Sequence, residues 1–136
     1  MIFVDTNYFL RFVLQDNETQ YLEAKKLFLE AAKGKIELIT SSVVFFEIHF
    51  VLKSFYKKDK SSMVYILSKI LNLSVIFPEK QLLQISLSIY EKSVVGLEDC
   101  YNIAFSKMVG IKEFKTFDIK LGKEFEKIVG KKKSSH

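Results

Sequence analysis

Tryptophan is absent from this chain, and cysteine, proline and arginine occur once each. The lone Cys100 excludes an intrachain disulfide framework and any multi-cysteine metal site, and it suits a reducing, cytoplasmic setting. No stretch approaches the ~20 consecutive apolar residues needed to cross a bilayer, so no membrane partner is expected. No basic segment leading into an apolar core opens the sequence, which argues against signal-driven export. Without tryptophan, any aromatic surface must be built from phenylalanine and tyrosine.

What is present is enough for one domain with a proper core and too little for two ordinary ones: 136 residues, 49% hydrophobic and 27% charged. The formal charge of +5 favours an anionic partner, although excess lysine also serves solubility. Every basic residue except Arg11 is a lysine.

The chain alternates short apolar runs with longer segments of helical periodicity. Residues 1–4 read as a strand, followed by a short helix at 8–14 and the polar break QDNE. A helix over 18–33 ends at Gly34, in the position after a helix that favours glycine. IELIT (36–40) is strand-like, and Ser41-Ser42 offers a cap for a helix over 43–57 whose charged end is KKDK. Ser61-Ser62 opens a helix to about Leu73, SVIF forms a third strand that stops at Pro78, and a helix follows until Gly96. A helix over 98–109, a short strand FKTF and a helix over 119–128 complete the order β-α-α-β-α-α-β-α-α-β-α. Strands separated by helices imply a parallel α/β sheet covered on both faces. The expected domain spans 1–130, with 131–136 (KKKSSH) a basic, disordered tail.

In open parallel sheets, ligands bind outside the carboxyl ends of the strands. Asp5 follows the first strand directly, Glu47 lies one to two turns into the helix after the second, Asp99 begins a helix after Gly96, and Asp118 follows the last strand. All four have a route to one rim. Asp5, Asp99 and Asp118 also have a plainer reading as partners of helix amino ends. Glu47 interrupts the apolar run VVFFEIHF, so it is expected to be buried or to face a cleft; His49, two residues on, reads as structural. Gathered carboxylates repel by several kcal/mol per close pair at an effective dielectric of ~20. Such a cluster persists when a divalent cation compensates it, and all-oxygen ligands select Mg²⁺ or Mn²⁺. Such ions activate water and hold phosphate oxygens, which in a basic protein points to nucleic acid.

IFVDTNYFLRF, ITSSVVFFEIHFVL, YEKSVVGLEDCYNIAFSK and FKTFDIKLGK together resemble the PIN-domain family, in particular the VapC-like ribonuclease toxins of type II toxin–antitoxin pairs. The resemblance covers nearly the whole chain. It implies a three-layer sandwich with a central parallel sheet of four or five strands flanked by about seven helices. It further implies Mg²⁺- or Mn²⁺-dependent endoribonuclease activity by metal-activated water, with an RNA substrate and a protein antitoxin as partner. Carried over residue by residue, Asp5, Glu47, Asp99 and Asp118 form the acidic metal cluster, with Thr6, Asn7 and Thr116 orienting acids or waters. Arg11, just after Asp5, is a candidate for RNA phosphate, with a surface ion pair as the alternative. The segment FEKIVG shows no convincing fifth strand, and Glu98 reads as a solvent-exposed extra acid. Phe45, Phe46, Phe50, Phe55 and Tyr56 exceed what one helix face buries, leaving rings for a homodimer or antitoxin surface. Two other readings compete: a non-catalytic RNA-binding or scaffolding PIN domain, and a phosphoacceptor domain. The second fits poorly, because it requires neither Glu47 within a helix nor Asp99 at a helix start.

Overall fold

β1 (Ile2–Phe3) and β2 (Leu38–Ile39) pair in parallel, Ile2 opposite Leu38 and Phe3 opposite Ile39. Ile39 also bridges in parallel to Ile76: the Ile76 N–H donates to the Leu38 carbonyl at 2.8 Å, and the Thr40 N–H donates to the Ile76 carbonyl at 3.0 Å. The computed structural model describes residues 1–130, so the tail expected at 131–136 lies outside the described residues. Among the described residues there are seven helices: α1 (Thr6–Leu14), α2 (Glu18–Ala32), α3 (Ser42–Ser54), α4 (Lys60–Leu71), α5 (Lys80–Lys92), α6 (Leu97–Val109) and α7 (Ile119–Ile128). The mixed α/β class and the helix number agree with the sequence reading.

The strand number does not. Among the described residues there are two strands and a bridged segment, in place of four or five strands. FKTF is not a strand because local contacts occupy it. The Thr116 hydroxyl accepts from the Asp118 N–H at 3.0 Å, a turn rather than a ladder bond. Phe114 stacks on Phe125 of α7 with ring centroids 4.7 Å apart, and Phe117 is fully exposed. Val129 and Gly130 likewise form no fifth strand.

Packing divides the chain into two compact units, the first Met1–Lys80 and the second beginning at Gln81. The first is organised around phenylalanine. Phe9 of α1 is wholly buried, with ring centroids 5.4 Å from Phe28 of α2 and 6.1 Å from Phe77, and Phe45 of α3 meets Phe77 edge-on at 6.5 Å. Burying one such ring is worth about 1.5–3 kcal/mol, so this cluster fixes α1 and α3 relative to β1 and β2. The buried Thr40 hydroxyl donates to the Val4 carbonyl at 2.7 Å, pinning the chain immediately before Asp5. In the second unit Leu83, Leu97, Cys100, Ile103 and Phe125 are buried.

α3 is nearly all apolar in sequence, yet it has sides. Val44, Phe45, Ile48, His49 and Leu52 are buried, whereas Val43, Glu47 and Phe50 are exposed at i, i+4 and i+7. Its amino end is held as expected, with Ser41 accepting from the Val44 N–H at 3.4 Å. α4 corrects the sequence reading: Asp59, not the Ser61-Ser62 pair, caps it, accepting from the Ser62 N–H at 2.8 Å. Gly34 (φ +77°) follows α2 in the left-handed conformation.

Candidate active site

Asp5 stands where β1 hands over to α1. Its backbone is extended, and its carboxylate accepts from the Thr6 N–H at 2.8 Å, so it caps α1. Thr6 is buried, and its hydroxyl donates to the Glu47 carboxylate of α3. One threonine thus ties Asp5 through its amide and Glu47 through its hydroxyl, joining the end of β1 and the second turn of α3. Glu47 is exposed, so of the two expectations, buried or facing a cleft, burial is excluded. Its place in an apolar run reflects the register of α3, which puts it on the open stripe.

Asn7 follows on α1. With Tyr8, Arg11, Gln20 and Glu23 it lines a recess of about 170 Å³. Arg11 is engaged locally: one guanidinium nitrogen lies 3.1 Å from Asp16, another donates to the Tyr56 hydroxyl at 3.2 Å, and that hydroxyl donates to Asp16 at 2.9 Å. This is the surface ion pair that the sequence allowed as the alternative to phosphate binding.

The second unit brings another pair of acids together. Asp99, in the first turn of α6, accepts from the Gly96 N–H, the reach-back contact that satisfies a helix amino end. Asp118 caps α7, accepting from the Leu121 N–H at 3.1 Å. The two carboxylates sense each other. The Asp99 carboxyl is held above its ordinary range, first by burial and then by the negative charges of Asp118 and Glu98, and only the Gly96 bond opposes this. Thr116 fixes the Asp118 backbone rather than its carboxylate. Glu98 is exposed, as expected, but its charge reaches Asp99.

The four acids therefore stand as two pairs, one in each unit. Among the described residues no three His, Cys, Asp or Glu side chains are gathered into a ready ligand set. The chemistry of each pair nevertheless suits a hard divalent cation. All donors are carboxylate oxygens, and Asp99 is raised by burial first and by the charges of Asp118 and Glu98 second. His49 is buried on α3, in line with its structural reading.

Sequence reasoning missed a second polar group in the second unit. Ser93 donates to the buried Glu124 at 2.8 Å, on the wall of a recess of about 450 Å³ that Lys92, Lys107 and Lys127 also line. These lysines are far apart in sequence, and only the packing of three helix ends collects them.

A family model for the PIN domain matches residues 2–127. No curated protein and no solved structure matches the chain significantly. No helix among the described residues is long and apolar enough to cross a membrane. A match over nearly the full length, on a chain whose acids sit at β1 and at the amino ends of α6 and α7, places this protein in the PIN domain family, whose members are generally nucleases.

Proposed function

We propose that this protein is a divalent-metal-dependent endoribonuclease and the VapC-like toxin of a toxin–antitoxin pair, acting in the cytoplasm as a homodimer with the three-layer sheet of that subtype. Asp5, Glu47, Asp99 and Asp118 are the carboxylates that this reading assigns to Mg²⁺ or Mn²⁺. The observation that carries this reading is the placing of Asp99, whose carboxyl is lifted first by burial and then by the charges of Asp118 and Glu98, in a chain of a nuclease family. Negative charge held together in this way is costly without a cation.

When bound, such an ion offsets charge on the phosphate and makes water a better nucleophile at neutral pH. The chain's own residues prepare the site. Thr6 fixes the Glu47 carboxylate and presents its amide to Asp5. The Gly96 amide holds one edge of Asp99, and Thr116 sets the turn from which Asp118 projects. Asn7, next to Thr6 on α1, orients the acids or their waters, and Arg11 reaches RNA phosphate only by exchanging its Asp16 partner for it.

A second reading, a PIN domain that binds RNA without cutting it, is favoured by the lack of a ready three-acid ligand set among the described residues. One experiment separates the two. RNA cleavage should stop in EDTA and return with Mg²⁺ or Mn²⁺, leaving 5′-phosphate and 3′-hydroxyl ends. Asp5→Asn and Asp99→Asn should each cost ~10²–10³ in rate, the scale of ~3–4 kcal/mol of lost electrostatic stabilisation. Binding without cleavage would favour the second reading, and a 2′,3′-cyclic phosphate product would overturn the first. Growth arrest on expression, relieved by the product of a neighbouring gene, would identify the toxin role.

A further inference from the structure

α6 and α7 carry their charges in the same sense. Asp99 lies in the first turn of α6 and Lys107 in its last; Asp118 caps α7 and Lys127 lies in its last turn. At 1.5 Å per residue each acid is ~12–14 Å along its helix from its lysine. The two acids sense each other, and the two lysines line one recess, so the helices run side by side in the same direction. Lys92, in the last turn of α5, joins them on the recess wall. Three lysines and one carboxylate, Glu124, therefore line the same recess. That carboxylate is already committed, accepting from Ser93 at 2.8 Å and lying 3.9 Å from Lys127. Neither Lys92 nor Lys107 has an ion-pair partner among the described residues.

Lysine in the last turn of a helix complements the negative end of the helix dipole, which accounts for each residue singly. It does not account for three of them collected around one recess of about 450 Å³, an arrangement that sums to a positive field favouring an anion there. We propose that the recess at the carboxyl ends of α5, α6 and α7 binds a backbone phosphate of the RNA substrate, a few nucleotides along the strand from the Asp99–Asp118 pair. This deepens the nuclease reading and rests on it for the identity of the strand. The flexible, point-charge ammonium groups suit a phosphate whose sequence context does not matter. The recess would act by positioning: it holds the strand in register while the acids do the chemistry.

Binding of a short, labelled single-stranded RNA, measured by fluorescence anisotropy in EDTA from about 50 to 200 mM salt, tests this. The triple variant Lys92→Gln, Lys107→Gln, Lys127→Gln should bind several-fold more weakly at low salt. Its slope of log affinity against log salt should be shallower by ~0.7 for each phosphate it no longer neutralises. The corresponding triple arginine variant, which keeps the charge, should retain the slope and guards against a folding defect. A control triple on α2, Lys25→Gln, Lys26→Gln, Lys33→Gln, should leave the slope unchanged. An unaltered slope in the recess variant, or an equal loss in the α2 control, overturns the proposal. Cleavage by the wild-type protein in Mg²⁺ is scored separately. Cleavage with no slope change removes the recess and leaves the nuclease; a slope change with no cleavage removes the nuclease and leaves a phosphate-binding recess.

Discussion

Asp99 is pulled in two directions. The Gly96 N–H stabilises its charged form, while burial and the charges of Asp118 and Glu98 disfavour it, and the balance lies on the raised side. A carboxyl whose folded-state pKa exceeds its unfolded value binds more protons when folded. Stability then falls as pH rises from the unfolded value near 3.8 through the folded one, and the penalty is fully present above it. In EDTA at neutral pH, Asp99→Asn should therefore raise the melting temperature, because it keeps an acceptor for the Gly96 N–H and removes the charge. The gain should shrink to nothing below the ordinary aspartate range. Melting curves across a pH series check this, and a variant less stable than wild type at neutral pH would refute it. That Asp5, Asp99 and Asp118 sit at helix starts was legible from strand ends and Gly96. That Asp99 reaches back to Gly96 while sensing Asp118, itself the cap of α7, was not, because capping and clustering use the same residue type at the same place.

At the scale of elements, the seven helices were legible because their apolar spacing persists for several turns. Three of the four expected strands were legible as well, since 1–4 and 36–40 hold β1 and β2 and SVIF holds the bridged Ile76. Their two-residue extent and the failure of FKTF were not, because pairings this short carry no period to read. The start of α4 shows how a local choice escapes a sequence. KKDK reads as the charged end of α3, but Lys57 turns left-handed (φ +54°), which frees Asp59 to cap the next helix. The Asp59 carboxyl is held below its ordinary value, first by the Ser62 N–H and then by the Ser62 side chain. Its contribution is present above the unfolded pKa and is lost as pH falls through the folded one. Asp59→Ala should thus lower the melting temperature at pH 7 and have no effect in strong acid, whereas Ser61→Ala should be neutral at both. Equal effects of the two substitutions would return the cap to the serine pair.

At the scale of the whole molecule, the excess of aromatic residues was plain from composition, but their distribution depended on the register of α3. Phe45 is fully buried and so unavailable to a partner, whereas Tyr56 is exposed with its hydroxyl tied to Arg11 and Asp16. Phe50 and Phe55 remain 55% and 71% exposed and meet each other edge-on at 6.2 Å, and Tyr65 of α4 is also exposed. Rings this open, next to one another, are more costly in water than scattered apolar residues and mark surfaces that associate. A second copy of the chain is the partner that is always present, and a two-fold interface would set one Phe50–Phe55 pair against its mate. Light scattering at high micromolar concentration, without antitoxin, should give a dimer. Phe55→Lys should shift it toward monomer with the helical circular dichroism unchanged, because that ring contributes little to the buried core. A wild-type monomer under those conditions would leave the exposed rings to a different protein, and a dimer untouched by Phe55→Lys would place the two-fold contact on another face.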